Sequence, residues 1–227
     1  MAEKKNLLVL RLEGALQSWG ENAKWDFRDS STMPTKSGIV GLLGCALGLE
    51  RGSDALVNLA GSITVAVRAD RPGVKFVDFQ TVQGHPLMAA TGKPKTTGNT
   101  ILSPHAYIQD ACFTVFIDTT PEWQEQITAA LQEPKWCLYL GRKNCVPSRP
   151  VLADMVEYAD LTEALKKYPA AERAEKIMTY ECELPDFGLT SVVRPDNLVG
   201  VDRKFDLRRV WRGTVKREEM QDVSDQN

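Results

Sequence analysis

The stretch LLVLRLEGALQSWG, Leu7 to Gly20, followed after a polar interval by PTKSGIVGLLGCALGL, Pro34 to Leu49, decides how this chain is read. The first segment alternates apolar positions over Leu7 to Leu12 and ends in Gly, Ser and Trp. That pattern predicts a strand running into a loop that displays Trp19. The second segment sets Pro34, Thr35 and Ser37 ahead of a helix, Ser37 to Leu49, with Gly41, Gly44 and Gly48 on one face and Ile39, Leu42, Leu43 and Leu47 on another. A glycine inside a helix costs about 1 kcal/mol relative to alanine. A row of them needs a reason, and close approach of the helix to another backbone supplies one.

Ile63 to Arg68 alternates cleanly as a second strand, and the nearly unbroken apolar run Ala111 to Ile117 reads as a third, covered on both faces. Thr120 and Pro121 form a helix start, followed by an apolar stripe of Trp123, Ile127, Ala130 and Leu131. Trp136 to Leu140 reads as a fourth strand stopping at Gly141. The resulting order βαββαβ predicts an α+β fold with a ferredoxin-like, RRM-like body. Many functions use that fold, so the order alone assigns none.

About forty residues separate the second and third strands, far more than the roughly two to five of an ordinary hairpin loop. Phe76 to Val82 and Thr100 to Gln109 fit the arms of a long β-hairpin, an insertion over 74–110. Its tip, Gly84 to Asn99, carries Lys93 and Lys95 and no acid. After Pro150 the texture changes: Val151 to Ala174 is acidic and helix-prone, Ile177 to Leu184 is a candidate strand, and Phe205 to Val215 alternates basic and apolar residues. The organisation expected is an RRM-like body over 1–150, insertion included, and a smaller C-terminal subdomain over 151–227.

With 227 residues the chain has ample apolar content for a core. Five scattered cysteines without a CxxC pair, and only two histidines, speak against structural zinc and for reduced thiols, hence a cytoplasmic protein without metal or other cofactor. No apolar stretch approaches membrane-spanning length. The formal net charge is −2, but its distribution is uneven: Lys135 to Arg149 and Arg203 to Arg217 are basic, whereas acids gather between Asp154 and Asp186. Screening over about 8–10 Å lets such a local patch attract phosphates on a mildly acidic protein. A plain solvated surface is the alternative.

Catalytic signatures are absent: there is no GxSxG, HExxH or Walker loop, and the glycines of GIVGLLG lie inside the helix rather than before it. YLGRK, Tyr139 to Lys143, ends an apolar run in a glycine and two cations, an arrangement suited to a phosphate or base edge or equally to a plain surface turn. Tyr139 is either a stacking platform or half-buried core, and Trp19 either an anchor or a platform. Lys24, Arg28 and Lys36 flank the opening loop with Asp26 and Asp29 interspersed, either as a salt-bridged surface or as phosphate contacts, and Ser37 is a further candidate contact. Arg208 and Arg209, set among Phe205 and Trp211, resemble an RNA-contacting edge or equally a basic strand. His105, near Tyr107, is the one histidine in plausible catalytic company.

Taken together, LRLEGALQSWG, PTKSGIVGLLGCALGL, FQTV, YIQDACFTVFI and YLGRKNCVP resemble, in order, the signature segments of the CasD family of Cascade subunits in type I-E CRISPR systems. The resemblance spans most of Leu7 to Pro147 and thins beyond Pro150. It implies an RRM-like body, a thumb made by the insertion, and a non-catalytic subunit that caps the 5′ handle of CRISPR RNA. It implies as partners that RNA, the adjoining backbone and large subunits and, through the complex, target DNA, with no membrane. Tyr139, Arg142 and Lys143 fall in the family's handle-proximal segment, and His105 at the thumb base where a relative has a cation. The alternatives are a metal-independent repeat-RNA endoribonuclease, as in type I-C relatives, built on His105, Tyr107 and lysines, and a purely architectural subunit.

Overall fold

A computed structural model describes residues 4–21, 27–84, 87–88, 92–94, 100–186, 188–202 and 204–220. The chain is a mixed α/β protein built on a largely antiparallel sheet. Strand β1 (Lys5–Glu13) leads through the short β2 (Leu16–Gln17) to helices α1 (Lys36–Leu47) and α2 (Asp54–Ser62). Then follow β3 (Thr64–Arg71), the hairpin β4 (Val74–Gln83) and β5 (Thr100–Gln109), β6 (Cys112–Asp118) and α3 (Pro121–Gln132). The C-terminal part holds β7 (Leu152–Tyr158), α4 (Leu161–Lys167), β8 (Ile177–Cys182), β9 (Thr190–Gly200) and β10 (Lys204–Lys216). The main sheet has seven strands in the order β7-β1-β6-β3-β8-β10-β9, and β2-β5-β4 form a second sheet.

Alternation in β1 serves two cores. Leu8, Leu10 and Leu12 pack with α1, α2 and α3 on one face, while Leu7 and Val9 join Leu161, Ala164 and Leu165 of α4 on the other. The apolar run of β6 has the same cause, with Phe113, Val115 and Ile117 facing the first core and Phe116 the second. A strand covered on both faces has no solvent side to keep polar.

The four-strand reading needs one correction. Trp136 to Leu140 forms no strand; the strand beside β1 is β7, antiparallel and in register from Lys5↔Tyr158. The 135–140 segment has the apolar composition of a strand, but its backbone is satisfied elsewhere. Lys135 N–H donates to Ala46 O at 2.9 Å, Trp136 N–H to Cys45 O at 3.3 Å, and Leu140 O accepts from Ser18 N–H at 3.0 Å. It therefore caps the end of α1 and pins the opening loop. The expected helical stretch after Pro150 is β7 and α4, and the strands after residue 150 extend the same sheet as those before it. The boundary at 150 thus falls within one continuous sheet.

The hairpin arms pair from Val74↔Gln109 to Gln83↔Thr100, as their composition predicts. Phe79 and Leu102 on it are 62% and 54% exposed. Most of its tip, Lys95 included, lies outside the described residues.

The helical glycines prove to have separate reasons. A Cβ on Gly38 would lie 2.8 Å from the Trp19 ring, and one on Gly44 would lie 2.6 Å from Leu56 Cδ1 of α2. Gly48 is the left-handed C-cap of α1, φ 71°. The close approaches inside the chain are therefore to side chains, not to another backbone. Gly41 meets nothing within 4 Å.

Candidate nucleic-acid interface

An open cleft of about 390 Å³ forms where six short segments converge. These are the opening loop at Ser18 to Gly20, Arg28 and Asp29, the start of α1, the Arg51 to Ser53 turn before α2, Tyr139 to Arg142, and the β9–β10 turn with Phe205. Each wall has a local cause. Thr35 caps α1 by accepting from Gly38 N–H at 3.2 Å, and Asp196 Oδ2 of β9 accepts from Lys36 N–H at 2.8 Å, so the C-terminal hairpin also caps the first helix. Gly141, at φ 87°, lets the Tyr139–Arg142 segment lie directly against the Ser18 backbone, where no Cβ fits.

Arg142 holds two loops together. Its Nη2 donates to Arg28 O at 3.0 Å and Asp29 O at 3.3 Å, and its guanidinium sits 4.8 Å above the centre of the Tyr107 ring. Its Nη1 is shielded from solvent and has no hydrogen-bond partner among the described residues. Tyr139 is half-buried in the cleft wall. Burial first, and a hydrogen bond with Cys45 second, push its hydroxyl above the ordinary tyrosine range, so it stays neutral. Arg28, Arg51 and Arg142 face one carboxylate, Asp29, among the lining residues. The cleft thus combines an aromatic, cations and open helix backbone, which suits a single-stranded nucleotide segment.

Of the residues singled out in the sequence, Tyr139, Arg142, Arg28, Ser37 and Trp19 line this cleft. Trp19 does so as an anchor: it is 1% exposed, with Nε1–H donating to Gln17 Oε1 at 3.0 Å, so its ring offers no stacking face. Lys143 is exposed, one residue beyond the lining. Lys36 and Arg208 belong to a buried ion network instead of an RNA edge. Arg208 Nε donates to Asp196 Oδ1 at 2.6 Å and its Nη1 to Glu183 Oε1 at 3.0 Å, while Lys36 Nζ lies 3.3 Å from Glu183. Arg209 is exposed and reaches Ser191 Oγ at 3.1 Å. Lys93 is exposed and does not line the cleft, and Lys24, like Lys95, lies outside the described residues.

His105 does not line the cleft. Its Nε2 lies 3.0 Å from Ser103 Oγ, and burial, reinforced by Arg142 and Arg28, lowers its pKa so that the ring is neutral at pH 7. Tyr107 is 2% exposed, and its hydroxyl accepts from Asn144 Nδ2 at 2.9 Å.

Sequence reading missed Arg51 and the turn that carries it. The available signal was Ser53, which caps α2 by accepting from Leu56 N–H at 3.3 Å. Recognising that helix start would have placed Arg51-Gly52 in a turn between two helices.

The family model described as CRISPR-associated protein, Cas5, matches residues 7–221. The chain belongs to the CasD/Cas5 family of CRISPR-associated proteins. It is 30% identical over 178 residues to the CRISPR system Cascade subunit CasD of Escherichia coli K12, covering 72% of this chain and 77% of that protein. Among solved structures, a Cas protein crystal structure aligns with TM-score 0.75 and 32% identity over 95% of this chain and 98% of its own. A chain of a CRISPR RNA-guided surveillance complex aligns with TM-score 0.75 and 29% identity, covering 96% and 95% respectively. The chain is a Cascade subunit by this kinship. No helix among the described residues is long and apolar enough to cross a membrane.

Proposed function

We propose that this chain is the non-catalytic subunit of a type I-E Cascade surveillance complex that binds and caps the 5′ handle of CRISPR RNA in the cytoplasm. The cleft carries this reading: YLGR, the opening loop and the start of α1, distant in sequence, meet there around three arginines. Tyr139 offers a face to a base, and the arginines offer charge to phosphates. The sheet order β7-β1-β6-β3, with α1 and α2 between β1 and β3 and α3 between β6 and β7, supports a ferredoxin-like, RRM-like body. In this reading residues 151–227 complete the body's sheet through β7 and add the hairpin wall of the cleft. The β4–β5 hairpin is the thumb; its exposed Phe79 and Leu102 suit contact with the adjoining backbone or large subunit. Target DNA is met through the complex.

The nuclease alternative has less support. Neither His105 nor Tyr107 lines the cleft, and the Tyr107 hydroxyl is engaged by Asn144 beneath the Arg142 guanidinium. The test is binding of a repeat-derived handle RNA to the assembled complex carrying Arg51→Ala with Lys143→Ala, both exposed positions. Loss of two charge-assisted contacts weakens affinity by roughly tenfold or more, with Tm unchanged. Unchanged affinity overturns the reading. The isolated subunit leaves repeat RNA intact; metal-independent cutting that His105→Ala abolishes selects the nuclease instead.

A further inference from the structure

Gly41 is the glycine of α1 that the fold itself does not explain. Gly38 and Gly44, one turn away on either side, are each closed off by a neighbour, the Trp19 ring and Leu56. Gly48 ends the helix with a positive φ. Gly41 is interior to α1, has ordinary helical backbone geometry, is exposed, and has open space where a Cβ would point. An alanine there would favour the helix. That open space belongs to the cleft, which Arg28, Arg51 and Arg142 also line.

We propose that Gly41 is the floor of a nucleotide subsite: a base or ribose of the bound single-stranded RNA lies flat on the bare backbone of α1, beside the Arg142 side chain of the same cleft. A Cβ points from that floor into the ligand and prevents van der Waals contact between the nucleotide and the helix. The ligand, not the protein core, requires the glycine. This rests on the reading of the cleft as an RNA site.

The experiment pairs Gly41→Ala with Gly61→Ala. Gly61 also meets nothing within 4 Å and is exposed in α2, but it does not line the cleft. Tm of the full chain and affinity of the assembled complex for handle RNA are measured for both. Gly41→Ala is expected to raise Tm by about 2–4 °C and to weaken RNA binding about tenfold. Gly61→Ala leaves affinity within about twofold of the parent. If Gly41→Ala binds RNA like the parent while Arg51→Ala with Lys143→Ala does not, the subsite is refuted and the RNA reading stands. If neither variant weakens binding, both fall. A fall in Tm for Gly41→Ala also overturns the inference, because the glycine is then required by the fold.

Discussion

Replacing Gly141 by alanine tests whether the cleft is held by the backbone contact between YLGR and the opening loop. Two costs add. At φ 87° an L-residue loses about 1–2 kcal/mol relative to glycine. The new Cβ would also fall inside the contact distance of the Ser18 carbonyl oxygen, a backbone atom with no rotamer to escape into. Relief requires separating the segments and straining the Ser18 N–H to Leu140 O bond, 3.0 Å long and beside the buried Ser18 side chain. A bond of that kind is worth about 1–2 kcal/mol when its groups are left unpaired. The sum is about 2–4 kcal/mol, or a Tm lower by roughly 4–16 °C for a chain of this size. Thermal unfolding followed by circular dichroism reads it, with Gly92→Ala as the comparison. Gly92 also has a positive φ, 76°, but open space at its Cβ, so it reports the backbone cost alone. Equal losses for Gly141→Ala and Gly92→Ala would refute the packing argument.

Three other outcomes follow from the same geometry. Arg208→Met leaves Asp196, 1% exposed, and Glu183 short of a counter-charge, and costs about 3 kcal/mol or more in denaturant unfolding; a loss below about 1 kcal/mol contradicts the structural role given to the network. Arg51→Ala lowers the slope of log affinity against log salt for handle RNA by about one, and an unchanged slope removes Arg51 from the phosphate contacts. His105 has a lowered pKa in the folded chain, so the unfolded state binds its proton first as pH falls. Its contribution is full above pH 6.5, the ordinary value, and is lost on acidification below it. His105→Gln flattens the fall of Tm over that acidic range; an identical profile shows that another group carries it.

Much of the fold was legible because its signals are local. β1, β3, β6 and the arms β4 and β5 follow from alternation and apolar runs, and α1 and α3 from Thr35 and Thr120 caps with an apolar face behind each. The lining of the candidate cleft was legible in part, through Tyr139 and Arg142. Trp136 to Leu140 misled because an apolar run reports composition and not what the backbone bonds to. Here it bonds to Ala46, Cys45, Ser18 and Cys145. Arg208 and Lys36 misled because a basic residue looks the same in sequence whether it faces solvent or a carboxylate many residues away.

The sequence by itself determined the family, through ordered motifs from the opening strand to YLGRK, and the existence of the long hairpin. Only the tertiary structure decided that the strand after Pro150 closes the sheet beside β1, and that Asp196 and Glu183 withdraw Arg208 and Lys36 from the surface. It also decided that Arg51 joins the cleft and that the Cβ position of Gly41 opens onto it. Periodicity and capping act within a few residues along the chain. Pairing, desolvation and the shape of a cleft depend on groups brought together from its far ends.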